Sequence, residues 1–308
     1  MAILNESAVA DARTTFETLA GSALSASGPP PVWQAIARRV DPNGSIAHEM
    51  VIPGATPAWK EFLGQRVFDD VREYTKRIPL KTYDKYMALK RTQVTNDKSG
   101  AVAQQLSDFT ANLGEFLNKF AIEKLASNPT GADGVSLIND SHPFANGGGV
   151  WDNKSADALS FSSFNVERAR MRSLKKENGE LIGLEPKVLI VHPDQEEIAL
   201  QIAQADQKPI SVGTAGAINT AGIGATGITN VFRGSVDVVV TGYWTSGKWA
   251  IIDPRYQPLV VPVWRDPETV IVDDMAAHRR VENDVFLYGV EADANFDGLQ
   301  PWGIAGNL

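Results

Sequence analysis

The sequence predicts an α+β fold, and three observations carry that prediction. An apolar stripe of helical spacing runs between residues 97 and 126. A strand is followed at once by a helix between residues 188 and 206. A succession of short β-branched runs then fills residues 236–290. No fixed-period repeat is present. At 308 residues the chain is long enough to bury a substantial core, as one large domain or two ordinary ones. Hydrophobic residues make up 43% and charged residues 21%, a balance that excludes wholesale disorder.

Residues 1–28 are rich in Ala, Ser and Thr, with room for a short helix around Ala8–Ala20. Gly28-Pro29-Pro30-Pro31 stops it. Val32–Val40 holds one or two further helical turns, and Asp41-Pro42-Asn43-Gly44 is a turn signal. These first 50 residues carry little apolar mass and read as an arm that needs a partner surface. Arg66–Ile78 and Thr82–Val94 then have strand character on either side of Pro79-Leu80, which predicts a long, irregular hairpin. Between Lys60 and Arg91, nine basic residues face five acidic ones, inside a chain of net charge -8. A basic hairpin on an acidic body can bind the acidic body of another copy; a solvated surface loop is the plainer reading of the charge alone.

Val102, Leu106, Phe109, Leu113, Phe116, Leu117 and Phe120 recur at spacings of three and four. They predict one helix over 97–126, with Asp97 as N-cap and an end at Asn128-Pro129. At 1.5 Å per residue, a helix of roughly 25 residues is about 38 Å long and must lie across a large surface. Residues 127–163 form a Gly- and Asn-rich connector. Asn165–Asn178 is a charged helix with Gly179 as its C-terminal cap. Val188–Val191 is a buried strand, and Pro193 opens a helix over 194–206. A Gly/Ala/Thr loop fills 207–234. Strands follow at Val236–Val240, Trp249–Ile252, Leu259–Val263, Val270–Val272 and Val285–Val290, with turns at Gly247, Asp253-Pro254 and Asp266-Pro267.

Several chemistries are excluded or disfavoured. The chain has no cysteine, so disulfides, thiolate metal sites and a Cys nucleophile are impossible. A net negative chain lacks the basic footprint that sequence-reading of nucleic acid needs. No run approaches the ~20 apolar residues of a membrane helix. The opening MAILNESAVADARTTF lacks a basic n-region and carries Asn5, Glu6 and Asp11 early, so a signal peptide is not expected. Gly222-Ile223-Gly224-Ala225-Thr226-Gly227 matches a dinucleotide fingerprint in letters only. Loop precedes it and strand character follows it, where strand and helix are needed. The four histidines, His48, His142, His192 and His278, show no metal-ligand spacing. His142 reads as an isolated catalytic group or, more simply, as a turn residue bonded to nearby backbone. His192 with Asp194 and Glu197 reads as a proton relay or as the end of a strand before a helix. Asp69-Asp70 and Asp273-Asp274 are adjacent pairs that face opposite ways in a strand. No catalytic residue, cofactor or metal is expected.

The order of elements is arm, basic hairpin, long helix, α/β middle and strand-rich end. That order resembles the HK97-type major capsid proteins of tailed phages. Particular segments resemble the Mu-like major head proteins. They are Lys81-Thr82-Tyr83 to Leu89-Lys90-Arg91 leading into Asn96–Gly100, Leu137–Pro143 with its Asp140-Ser141-His142-Pro143, and Glu180–Val191. Trp249–Asp253 and Tyr288–Ala292 are similar too. The resemblance covers roughly residues 60–308. It implies an N-terminal arm at 1–54, an E-loop hairpin at 55–95 and a peripheral domain with a spine helix at 96–163. An axial domain at 164–265 and a return to the peripheral domain at 266–308 complete it. The implied product is the icosahedral head of a phage or prophage, built from hexamers and pentamers around double-stranded DNA. Scaffolding protein or protease, and a portal, are the implied partners, with assembly in the host cytoplasm and no membrane. Arg66, Arg72, Lys76, Arg77 and Lys81 are then the candidate intersubunit contacts. The rival readings are an encapsulin-like nanocompartment shell and, on different chemistry, a nucleotide-dependent enzyme using 222–227.

Overall fold

The computed structural model describes residues 2–25, 32–42, 47–55, 61, 72–95, 100–111, 113–144, 149–176, 178–208, 228–272 and 285–308. Helix α1 spans Ala2–Ser25, and the single turn α2 spans Trp33–Ile36. Strands follow as β1 Ala37–Val40, β2 Ala47–Ala55, β3 Arg72–Pro79 and β4 Thr82–Lys90. Helices α3 Arg91–Thr95, α4 Ala101–Thr110 and α5 Phe116–Ala126 lead to two short strands, β5 His142–Pro143 and β6 Val150–Trp151. Helix α6 is Phe161–Ser173, β7 is Val188–Val191 and α7 is Glu196–Gln204. Strands β8 Gln207–Lys208, β9 Ile228–Thr229, β10 Asp237–Val240, β11 Trp249–Ile252 and β12 Leu259–Val272 come next. The chain closes with β13 Val285–Ala294, β14 Asp297–Gly298 and β15 Ile304–Asn307.

Two sheets organise the molecule. The first has the order β10-β7-β11-β15, and the second the order β1-β12-β13-β4 with β14 also on β12. All four residues of β7 and of β11 are buried. Period-two alternation divides them between two cores. Leu189, Val191, Trp249 and Ile251 face a core built with Phe161, Phe164 and Met171 of α6 and Ala199, Ile202 and Ala203 of α7. Val188, Ile190, Ala250 and Ile252 face a second core with Ala121, Ile122 and Leu125 of α5 and Leu259, Val261 and Val263 of β12. A strand buried on both faces reads as an unbroken apolar run, which is why Val188–Val191 is plain in the sequence.

The opening segment finds its partner surface within the chain. Ala12, Phe16 and Ala20 lie at four-residue spacing on one face of α1 and pack against Leu89, Leu106, Phe286 and Tyr288. The Phe16 ring sits 5.4 Å from that of Tyr288 and 6.1 Å from that of Phe109. The helix is longer than the expected Ala8–Ala20, because its buried stripe has this sheet to lie on.

Four other expectations are corrected. The strands on either side of Pro79-Leu80 do not pair with each other. β3 pairs with β2, Ala47 opposite Pro79, while β4 pairs with β13 from Lys90–Val285 to Thr82–Asp293. The link between them is captured by the chain's end rather than folded into a turn. Asn295 Nδ2 donates to Pro79 O at 2.6 Å, and Ala294 N donates to Lys81 O at 3.0 Å. The single helix expected over 97–126 is two. A 3₁₀ turn at Leu113–Glu115 separates α4 from α5. Val102, Leu106 and Leu113 serve the core under α1, whereas Ala121, Ile122 and Leu125 serve the core under the first sheet. Two cores in different directions require the axis to be re-aimed, and Gly114 is a weak helix former at that point. The charged helix starts earlier than expected, at a Ser160–Ser163 capping box, and ends at Ser173. Gly179, at φ 83°, turns the Lys175–Leu181 bridge instead of capping the helix. Finally, Asp266-Pro267 is no turn. β12 runs through it for 14 residues, with register shifts against β13 on either side of Arg265.

Truncating Phe16 to alanine should lower the unfolding free energy by about 3–5 kcal/mol in a denaturant titration. A loss below about 1 kcal/mol would show that α1 is not part of the subunit's own core.

Candidate functional site

The basic residues singled out in the sequence are placed very differently. Arg66 lies outside the described residues. Arg72 opens β3. Arg77 and Lys81 are exposed. Lys76 is turned inward. Its Nζ donates to Thr130 O at 2.5 Å and Gly298 O at 2.8 Å, and it lies 3.2 Å from Asp297 Oδ1. Burial pushes the ammonium below the usual lysine range, and Asp297 offsets part of that. Lys76 therefore binds its own subunit. The β2–β3 ribbon pairs with no other strand among the described residues and carries Arg77 outward.

The candidate catalytic groups are structural. His142 is fully buried, with Nδ1 2.6 Å from Asp133 Oδ2 and Nε2 3.1 Å from Asn153 Oδ1. Its ring stacks on Trp151 at 4.4 Å. The expected bonds to nearby backbone are replaced by two side-chain partners, nine and eleven residues away in sequence. Asn153 in turn donates to Leu137 O, Pro301 O and Ile304 O, so it ties the connector to the chain's end. His192 caps the turn into α7, accepting from Asp194 N at 3.4 Å, with Asp194 Oδ1 3.0 Å from Nδ1. Residues 222–227 and Asp273-Asp274 lie outside the described residues. Among those described, no group of three or more His, Cys, Asp or Glu side chains is placed to hold a metal. No described helix is long and apolar enough to cross a membrane.

The sequence places Asp253 in a turn, at the end of a segment resembling the capsid family, and points to no role for its side chain. Its side chain is buried and accepts from Glu185 N at 2.6 Å, Arg255 N at 3.0 Å and Arg255 Nη2 at 2.7 Å. Burial alone would raise its pKa. The Arg255 guanidinium and the two backbone N–H groups outweigh that and hold the carboxyl below its ordinary range.

A groove of about 360 Å³ opens between α5 and the β4–β13 pair. Tyr83, Phe116, Phe120 and Tyr243 line it, with Asp84, Glu115 and Glu291 among its charged residues. The Tyr83 and Phe120 rings are 4.6 Å apart. Tyr86 crosses Gly289 and donates to Glu291; burial, then that carboxylate, pushes the phenol up to about 12. Nothing here resembles a nucleophile–base pair.

A profile described as phage capsid protein matches residues 73–305. The chain belongs to the phage capsid protein family. Its fold is the HK97-type capsid fold. Solved capsids match it across most of their length at low identity. The capsid of the cyanophage P-SCSP1u is 9% identical with a TM-score of 0.56, covering 92% of this chain and 89% of that one. The capsid of bacteriophage JBD30, decorated with minor capsid protein trimers, is 15% identical with a TM-score of 0.53, covering 72% and 93%. A virus-like particle from Pyrococcus furiosus is 11% identical with a TM-score of 0.53, covering 94% and 96%. No curated protein matches the chain.

Replacing Asp253 with Asn should cost about 1–3 kcal/mol at neutral pH, since Arg255 is half-exposed and keeps some hydration. Because the folded pKa is depressed, the wild-type contribution is complete above the unfolded value of about 3.9. It fades as pH falls toward the folded value. Denaturant titrations across pH 2–6 should show a flatter profile for the variant; parallel profiles would remove Asp253 from the acid response.

Proposed function

We propose that the chain is the major head subunit of a Mu-like tailed phage or prophage. It self-assembles as hexamers and pentamers into an icosahedral shell around double-stranded DNA. The observation that carries this reading is the β2–β3 ribbon. In a capsid-family chain of net charge -8, it is a separate two-stranded element among the described residues, and the segment 47–79 balances five basic against five acidic residues, so the whole net negative charge lies on the rest of the chain. A ribbon that pairs with no other strand among the described residues has its edges and outward charges available for a neighbour's acidic surface. Many modest contacts, repeated over a closed shell, give collective strength without any strong single one.

In this reading the E-loop is the ribbon Ala47–Pro79 and not 55–95. The peripheral domain is α4, α5 and the long strands β4, β12 and β13. The axial domain is α6, α7 and the sheet on β7. Of the described residues in 1–54, α1 docks on the peripheral sheet, β1 pairs with β12, and β2 is the first strand of the E-loop. Arg66, Arg72, Arg77 and Lys81 are the intersubunit contacts. Scaffolding protein or protease and a portal complete the assembly in the host cytoplasm, and the product resides in the virion. The acidic remainder of the subunit avoids gripping packaged DNA. The likeness to the Pyrococcus furiosus particle supports a second reading, a nanocompartment of the same fold that encloses protein.

Electron microscopy of the purified chain, alone and with scaffold, should show closed shells, or capsomers that convert to them. A monomer that never assembles would overturn the reading, and protein content in place of DNA would favour the nanocompartment. Arg77→Glu combined with Lys81→Glu should sharply reduce shell yield. The subunit's stability should stay within about 0.5 kcal/mol per exposed substitution. Unchanged yield and unchanged salt resistance would refute the charge argument.

A further inference from the structure

Among the described residues, the ribbon's root is tied to the body at Pro79, whose carbonyl accepts from Asn295 Nδ2, and by two side chains on one face of β3. Ile78 and Lys76 are two residues apart on β3, so they point the same way, while Thr75 and Arg77 are exposed on the other side. Ile78 is fully buried with Val260 and Leu299. Ile78 and the Asn295–Pro79 O bond hold only the last two residues of β3, which leaves the strand's direction beyond them to be set by a further contact. Lys76 is that contact, about 7 Å farther along the strand.

The Lys76 ammonium has three donors, and three acceptors surround it: Thr130 O, Gly298 O and Asp297 Oδ1. The cradle belongs to the body and is fixed without the lysine. β14 pairs with β12, Leu259 opposite Gly298 and Val260 opposite Asp297. The connector is held by Ala132 N donating to Leu299 O at 3.0 Å, and by the Thr130–Ser136 bridge. The two walls approach so closely that a Cβ on Gly298 would lie 2.4 Å from Thr130 O. Asp297 also faces Lys124 of α5 at 3.7 Å. One carboxylate therefore links the ribbon, the second half of the spine and the C-terminal segment.

We propose that Lys76 is a positioning residue that fixes the direction in which the β2–β3 ribbon leaves the subunit. The lysine is thereby turned away from the neighbour-binding set and made the pin that aims the strand carrying Arg72 and Arg77. The pin stands on the subunit's geometry; its consequence for shell building rests on the capsid reading.

The test is hydrogen exchange on the full-length chain, with wild type and variant compared in the same assembly state as established by light scattering. Lys76→Met keeps the reach of the side chain and removes its donors. Exchange at the amides of Val51, Ile52 and Arg72–Tyr74 should accelerate about tenfold or more, with β7 and β11 unchanged. Asp297→Asn, a milder change, should raise exchange at the same amides by a smaller factor. Unaltered ribbon exchange in Lys76→Met would overturn the proposal. If that variant fails to fold, Asp297→Asn decides, with ribbon-specific acceleration supporting the pin and its absence refuting it. Electron microscopy of the same samples reports separately on the capsid reading. Faster ribbon exchange without any shells would leave the pin in place and sink the capsid function.

Discussion

The rest of the subunit hangs on one constraint: β7 and β11 are apolar on both faces, and each face must be covered. A strand with a single core needs one layer of partners. These eight residues need α6 and α7 on one side and α5 with β12 on the other. Burying an apolar side chain stabilises by about 1.5–3 kcal/mol each, so neither covering layer can be lifted without a large penalty. The demand explains why the spine is re-aimed at Leu113–Glu115. Its first half stays with α1, while its second half is drawn toward the β7 sheet.

Polar ties then hold the segments that the two cores leave over. Asn153 joins the connector to the chain's end, with His142 and then Asp133 hydrogen-bonded in series behind it. Asp253 joins the residues before β7 to those after β11. Each is buried with several partners, so each sets geometry more than it adds net stability.

How legible this was differs by element. Val188–Val191 was readable because double-sided burial leaves an uninterrupted apolar word. Trp249–Ile252 was readable for the same reason. The partner of β3 was not. Ala47–Ala55 contains Pro53 and Gly54 and alternates poorly, and strand pairing is a non-local choice that local pattern does not encode. The break in the spine was hidden because spacings of three and four persist across it while the direction of the stripe changes. The inward turn of Lys76 left no trace, since two of its three acceptors are backbone carbonyls without a residue signature. The family was legible from the order of elements, and the profile over 73–305 supports it.

The pairing of β4 with β13 also has a mechanical side. Nine residue pairs, from Lys90–Val285 to Thr82–Asp293, run in uninterrupted register. Tension along these strands loads the whole ladder in shear, and many hydrogen bonds must fail together. Tension across them peels the ladder one rung at a time. The subunit is therefore stiff along one axis and compliant across it, so the orientation of these strands in a wall would decide how that wall bears internal pressure.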